Sequence, residues 1–221
     1  MERAALRAKR NPPEIALMAV TKTQSAERIR EAYDAGIRLF GENRVQEFSN
    51  KASALTDLKD AERHMIGHLQ SNKAGKAVEL FSAVDSVDSL RLAQRLNQSA
   101  HDLGKKIQVL IEINVGGEEA KSGAMPDSRE LEDLLHAAHT LEHLDFRGFM
   151  TVPPFTDDPQ LARPYFHKLR EIRDQIAAQG LPAVGTGTLS MGMSHDFEVA
   201  IEEGSTCVRV GTAIFGARKK P

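Results

Sequence analysis

Ile15-Ala16-Leu17-Met18-Ala19-Val20-Thr21-Lys22-Thr23 is the stretch on which the reading of this chain turns. An apolar run of strand length leads through Thr21 into a lysine, and a helical pattern opens at Ser25. A lysine at the carboxyl end of a buried strand faces the rim where α/β proteins bind ligands. Desolvation there disfavours the ammonium and frees the amine to attack a carbonyl. Lys22 is therefore a candidate for holding an aldehyde cofactor or substrate as a Schiff base.

Outward from this segment, strand-like and helix-like patterns alternate. Strands are expected at Ile15–Val20, Arg38–Phe40, His64–Ile66, Phe81–Val84, Ile107–Val115, Leu144–Val152, Thr188–Met191 and Cys207–Phe215. Helices are expected between them, at Ala26–Ala35, after Asn43 to about Leu55, from about Gln70 to Leu80, at Ser89–Leu103, Asp127–Thr140 and Asp158–Gln179, and from about His195 to Glu203. Eight strands, each but the last followed by a helix, imply an α/β chain of the (β/α)8 TIM-barrel type rather than an open sheet. No linker interrupts the alternation, so residues 1–221 read as one domain. No eighth helix is expected after the last strand, and residues 1–10 would cover that gap only in part.

Composition narrows the function classes. The 221 residues are 41% hydrophobic, enough for a core, and the net charge is −2, so nothing favours nucleic acid or a membrane surface. Trp is absent and aromatics are scarce, which argues against base-stacking surfaces. The single cysteine, Cys207, cannot form an internal disulfide and suits a reducing compartment. The first ten residues lack the apolar segment of a signal peptide, and no apolar run is long enough to span a bilayer. The expected location is the cytoplasm.

Barrel ligands bind at the carboxyl face, and phosphate sites often form after strands seven and eight. Those places read Gly185-Thr186-Gly187-Thr188-Leu189-Ser190-Met191-Gly192-Met193-Ser194 and Val208-Arg209-Val210-Gly211-Thr212. The first offers glycines and hydroxyls, with a helix expected just after Ser194 whose free amides favour an anion. The second offers Gly211 and Thr212. Arg209 alternates with Val208 and Val210, so if the valines face the helix layer Arg209 points into the barrel. There it either pairs with Glu112 or Asp85 or donates to a cofactor's ring nitrogen. Glu42 and Asn43, after strand two, either contact a ligand or cap the next helix. His64 and His68 flank a strand end, where four-residue spacing does not make a metal pair. His136, His139 and His143 read as a solvated face, Cys207 as core, and Tyr33 and Tyr165 as packing residues on helices.

The segments Ala19-Val20-Thr21-Lys22-Thr23, Phe40-Gly41-Glu42-Asn43-Arg44-Val45-Gln46-Glu47, and His64-Met65-Ile66-Gly67-His68-Leu69-Gln70-Ser71-Asn72-Lys73 resemble the pyridoxal 5′-phosphate (PLP) homeostasis proteins. So do Lys121-Ser122-Gly123, Leu189-Ser190-Met191-Gly192-Met193-Ser194 and the run from Val208 to Arg218. These proteins are similar to the N-terminal barrel of alanine racemase. The resemblance covers roughly residues 13–218, and the family's N-terminal helix is longer than the one available here. It implies PLP on Lys22, phosphate held by Ser190 or Ser194 with Gly211 and Thr212, and Arg209 facing the pyridine nitrogen. It also places Asn43, His68 and Met150 near the cofactor. A guanidinium beside the ring nitrogen makes the ring a poor electron sink, so deep PLP chemistry is disfavoured. Racemisation would need a second proton-transfer group, in alanine racemase a tyrosine from another domain. The resemblance thus implies storage, buffering or delivery of PLP, to PLP-dependent apoenzymes among other recipients, with effects on amino-acid and keto-acid balance. The rival readings are a minimal PLP-dependent racemase or lyase and an aldolase-like barrel acting on a sugar phosphate.

Overall fold

The alternation resolves into eight parallel strands that pair in chain order and close β1 on β8. The computed structural model describes residues 1–118, 120–180 and 187–217. The strands are β1 Ala16–Val20, β2 Leu39–Glu42, β3 Glu62–Met65, β4 Ala83–Val87, β5 Ile107–Glu112, β6 Leu144–Met150, β7 Thr188–Met193 and β8 Cys207–Val210. The helices are α1 Glu2–Arg7, α2 Ala26–Asp34, α3 Val45–Ala52, α4 Ala74–Leu80, α5 Leu90–Asp102, α6 Arg129–Ala137, α7 Arg163–Ala178, α8 Phe197–Glu202 and α9 Thr212–Phe215. This is the (β/α)8 barrel expected from the sequence.

The helix α5 shows why the outer layer forms. Ser89 caps it by accepting from the Leu92 amide, Leu92, Ala93, Leu96 and Ala100 make one buried stripe, and Gly104 at φ +60° ends it. That stripe joins the continuous core between helices and strands, with Phe149, Phe166 and Leu134 fully buried in it. Burial of this kind contributes about 25 cal/mol per Å² of apolar surface and is the main stabilising term.

Two boundaries differ from expectation in ways that matter. β2 runs two residues further than Phe40, so Glu42 is inside the strand and wholly buried rather than on the rim. β8 stops at Val210, and Thr212-Ala213-Ile214-Phe215 is helical, so a short eighth helix does follow the last strand. The apolar run Val210 to Phe215 has no period that separates a strand from a helix turn. The N-terminal gap is also filled: α1 packs Ala4 and Ala5 onto Ile201 of α8 and onto Val208 and Val210. Those valines face the helix layer, and Arg209 points into the barrel as the alternation required.

The barrel interior is polar at its amino end. His64, Asp85 and Cys207 line a cavity of about 180 Å³ there. His64 Nδ1 lies 3.0 Å from Asp85 Oδ1 and its Nε2 lies 3.8 Å from Glu62. Burial works against the imidazolium, yet Asp85's charge and hydrogen bond, with Glu62 behind them, outweigh it and raise the His64 pKa to about 9. Burial pushes the Cys207 thiol up to about 12, so it is an inert core residue, as expected. Among the described residues no helix is long and apolar enough to cross a membrane.

Candidate functional site

Lys22 sits in the turn just beyond β1, half-buried, and the chain around it is clamped. The Thr21 amide donates to Gly41 O and its hydroxyl to Glu42 Oε1 at 2.6 Å. Lys51, reaching up from α3, places its Nζ 2.8 Å from Glu42 Oε1. The same ammonium donates to the carbonyls of Thr21 (3.0 Å) and Gln24 (3.2 Å) and lies 3.4 Å from Glu47 Oε1. The Thr23 amide donates to Glu47 Oε1. Thr23 takes φ +64°, a left-handed conformation that a β-branched residue rarely adopts and that this network enforces. Burial raises the Glu42 pKa, with the bonds from Lys51 and Thr21 pulling it back. Its second oxygen, Oε2, is buried with no hydrogen-bond partner. Sequence reading missed Lys51, because a lysine on a helix reads as a solvated residue until the fold brings α3 against the β1 loop.

Arg209 is 3% exposed and is held by neutral acceptors. Its Nη1 donates to Ser190 O (2.7 Å) and Ser190 Oγ (2.8 Å), and Nη2 donates to Thr151 O (2.7 Å). It forms no ion pair with Glu112 or Asp85, which corrects the first of the two roles considered for it; all the ion pairs among the described residues lie elsewhere. Burial pulls its pKa below the ordinary value, but a guanidinium stays charged in proteins. A buried cation without a carboxylate partner, lining a cavity, is suited to an electron-rich ligand.

The third component lies after β7 and β8. Ser194 Oγ accepts from the amides of Gly211 (3.1 Å) and Ala213 (3.3 Å), which ties the two loops together. The end of β7 before it depends on Gly192 at φ +93°, where a Cβ would come within 2.4 Å of Ala200 Cβ. α8 begins at Phe197 and not directly after Ser194, and Asp196 stands at its head accepting from the Met193 amide. An acidic residue there repels an anion, and the Gly211 and Ala213 amides are already given to Ser194 Oγ, so the donors available to one are the hydroxyls of Ser194 and Thr212. Gly185 and Thr186, also weighed for this loop, lie outside the described residues.

These parts surround one cavity of about 400 Å³, a size typical of small-ligand sites. Its lining brings together Lys22, Asn43, Ser194, Arg209, Gly211 and Thr212 from the predicted set, with Val20, Ile66, Val152, Phe155, Met193 and His195. Asn43 does not cap α3, whose first position follows Arg44. Gly67 lets the chain press on Asn43, since a Cβ there would stand 2.3 Å from Asn43 O. Ser190 and Met150 are fully buried and support the cavity without lining it: Ser190 holds Arg209, and Met150 pairs across to Glu112 and Ser190. His68 lines an adjoining chamber, with Nδ1 3.3 Å from Asp88 Oδ2. Phe155, 76% exposed, stacks on His195 at 5.6 Å at the mouth. Sequence reading had not singled out either of these residues for the site; His195 follows Ser194 directly and could have been found from that. Tyr33 donates to Asp60 on the outer surface and Tyr165 packs on the core, so neither lines the cavity.

The model of the alanine racemase N-terminal domain family matches residues 3–219. A pyridoxal phosphate homeostasis protein of Aquifex aeolicus is 45% identical over 219 residues, covering 99% of this chain and 94% of that protein. The pyridoxal phosphate homeostasis protein of Escherichia coli K12 is 43% identical over 217 residues, covering 97% and 91%. The structure of PipY from Synechococcus elongatus with PLP bound superposes with a TM-score of 0.82 at 39% identity, over 97% of this chain and 99% of PipY. An alanine racemase of Clostridium difficile shares the fold at 17% identity and a TM-score of 0.71, over 99% of this chain and 56% of the racemase. With full-length identity above 40% and a shared barrel, the chain belongs to the alanine racemase N-terminal domain family and, within it, to the pyridoxal phosphate homeostasis proteins.

Proposed function

We propose that this protein binds PLP and takes part in PLP homeostasis, storing, buffering or delivering the cofactor without turnover of its own. The observation that carries the reading is the convergence of Lys22, the carboxylate-free Arg209, the hydroxyls of Ser194 and Thr212, and Gly211 on one cavity. The residues fit the cofactor: Lys22 for the aldehyde, Arg209 for the ring nitrogen, and the two-loop cradle for the phosphate. Bound there, PLP supplies an aldehyde that condenses reversibly with primary amines. Lys51, Glu42 and Glu47 hold the Lys22 loop in place. The Arg209 guanidinium carries no acceptor atom and keeps a fixed positive charge, so it can donate to the ring nitrogen but leaves no room for a proton on it. Catalysis on a bound amino acid would need a proton carrier on the far side of the ring. Neither tyrosine lines the cavity, and His195, at the mouth, has Nε2 committed to donating to Asp157 O. We place the protein in the cytoplasm, with PLP-dependent apoenzymes as recipients.

The test is visible absorbance before and after borohydride, with peptide mapping, on the wild type and Lys22→Ala. A yellow wild type that bleaches on reduction with the label on Lys22, beside a variant that takes no label there, supports the reading. A colourless protein that takes up no added PLP removes it. Sustained racemisation of an amino acid, lost in His195→Ala, would favour the enzyme reading instead.

A further inference from the structure

A groove of about 320 Å³ lies in the outer layer between α4 and α5, and it shares no lining residue with the Lys22 cavity. Its polar lining is Ser71 and Asn72, from the 3₁₀ turn Ser71–Lys73 that leads into α4, and Arg91, Arg95 and Ser99 from α5. The three α5 residues fall four apart, so they form one stripe along the groove. Gly75 keeps the floor open: a Cβ there would stand beside Ser99 Oγ, 3.8 Å away.

What sets the groove apart is that its polar side chains are unused. Among the described residues, none of the five makes a side-chain hydrogen bond or an ion pair within the protein. Arginines elsewhere on the outer surface are paired: Arg30 with Asp57, Arg38 with Asp60, and Arg163 with Glu202. The lining of the groove contains no acidic residue, and the exposed Lys73 adjoins it. Arg91 and Arg95 stand one turn apart on one face, where like charges destabilise a helix. Arg91 is also in the first turn of α5, at the positive end of the helix dipole. Neither placement serves the helix, so the pair calls for an anion that binds it. The donors are side chains: the amides of Leu90 and Leu92 at the head of α5 are already given to Glu130 and Ser89.

We propose that this groove binds a small phosphomonoester with a hydroxylated body, its phosphate held between Arg91 and Arg95 and its hydroxyls by Ser71, Asn72 and Ser99. Two guanidinium forks offer paired N–H donors to a tetrahedral dianion with three free oxygens. A carboxylate is satisfied by one fork and leaves the other over. The Asn72 carboxamide and the two serine hydroxyls each donate and accept, which suits alcohol groups and not an apolar body. A volume of about 320 Å³ is at the small end of ligand sites, so the ligand is a small molecule. The inference is independent of the PLP reading, since it uses none of the residues placed around that cofactor.

The experiment is calorimetric titration of the full chain at low salt with glycerol 3-phosphate, inorganic phosphate and glycerol. It is run on the protein as purified and again after incubation with PLP and removal of the excess. Glycerol 3-phosphate is expected to bind both preparations, more tightly than inorganic phosphate, and glycerol not to bind. Arg91→Gln and Arg95→Gln should each weaken both phosphates by about tenfold or more. Asn72→Ala should weaken glycerol 3-phosphate and leave inorganic phosphate unchanged. Without ligand, both arginine variants should melt no lower than the wild type, because removing one of two like charges relieves α5. A clear fall would assign the arginines to the fold and overturn the site. So would no binding of glycerol 3-phosphate, or binding indifferent to both arginine substitutions. Binding that disappears after incubation with PLP would move the ligand to the Lys22 cavity and likewise overturn the groove. A phosphoserine peptide that binds more tightly than glycerol 3-phosphate, and is weakened by the same substitutions, would give the groove to a phosphorylated protein and overturn the small-molecule reading.

Discussion

Lys51→Met cuts the clamp beneath the Lys22 loop while keeping the length of the side chain. Its ammonium lies 2.8 Å from Glu42 Oε1, with the two side chains 11% and 1% exposed, so the contact is buried on both sides. Removing one partner of such a pair costs about 3–5 kcal/mol, because the other charge stays buried and unpaired. The lower end applies here, since the Thr21 hydroxyl still donates to Glu42. A loss of ~3 kcal/mol in a chain of this size lowers Tm by about 6–12 °C. Burial already raises the Glu42 pKa above 4.5, and losing Lys51 raises it further. A carboxyl whose folded pKa lies above its unfolded value destabilises the fold at high pH and recovers as pH falls through the folded value. The Lys51→Met deficit should therefore be larger at about pH 8 than at about pH 5. Glu42→Gln in the same background should recover most of it. Urea unfolding of the two single variants and the double variant measures this directly. Single effects that add in the double to within about 0.5 kcal/mol would refute the coupling, as would a deficit that grows on acidification. Delayed or weakened PLP uptake in Lys51→Met, restored by the second substitution, would tie the clamp to the cofactor.

Three further outcomes follow from the packing. His64, raised from 6.5 to about 9, contributes stability that is complete below its unfolded value and is lost as pH rises through about 9; imidazole titration by NMR should place the midpoint near there, and Asp85→Asn should bring it down sharply, whereas an unchanged midpoint in that variant would show that Asp85 is not the cause. Cys207, with its thiol pushed up to about 12 by burial, should resist iodoacetamide at neutral pH until the barrel unfolds; fast labelling of the native protein would contradict its buried position. Gly192→Ala, which puts a Cβ 2.4 Å from Ala200 Cβ at φ +93°, should cost about 2–4 kcal/mol and displace Ser194, weakening phosphate-dependent binding of PLP over pyridoxal; a loss under about 0.5 kcal/mol would mean that α8 yields freely.

The barrel was legible because its signals are local. Strands such as β1 and β5 end where an apolar run meets a turn, and the stripe of Leu92, Leu96 and Ala100 needs only a 3.6-residue period to be seen. That Lys22, Arg209, Ser194, Gly211 and Thr212 share one cavity was legible for a similar reason, since the carboxyl ends of strands form one rim in this fold and these residues stand at or just beyond such ends. The parts that escaped notice are pairings across elements. Nothing in the spacing of Lys51 and Glu42 says that an α3 side chain turns inward onto β2. Nothing around Ser190 says that its hydroxyl holds Arg209 and does not line the cavity. The sequence allowed Ser190 or Ser194, and the difference is a matter of depth: Ser190 faces the guanidinium inside β7, while Ser194 lies beyond the strand where two loops meet.

Charge is compensated differently at the two ends of the barrel, and that difference argues for binding at one of them. At the amino end the buried imidazole of His64 faces the Asp85 carboxylate through Nδ1, while its Nε2 is buried without a hydrogen-bond partner. At the carboxyl end Arg209 has only neutral acceptors, while Glu42 Oε2 and Glu112 Oε2 are both buried without donors. Each of these arrangements costs stability in the empty protein. A chain selected only to fold could remove them cheaply, for example by replacing Glu112 with glutamine while keeping the bond from Ser122. Arg209 lines the Lys22 cavity and Glu112 the neighbouring one, and we propose the electron-rich ring of PLP as the partner of Arg209. The protein is therefore expected to gain stability with PLP, read as a rise in Tm on saturation, and no rise would refute that pairing.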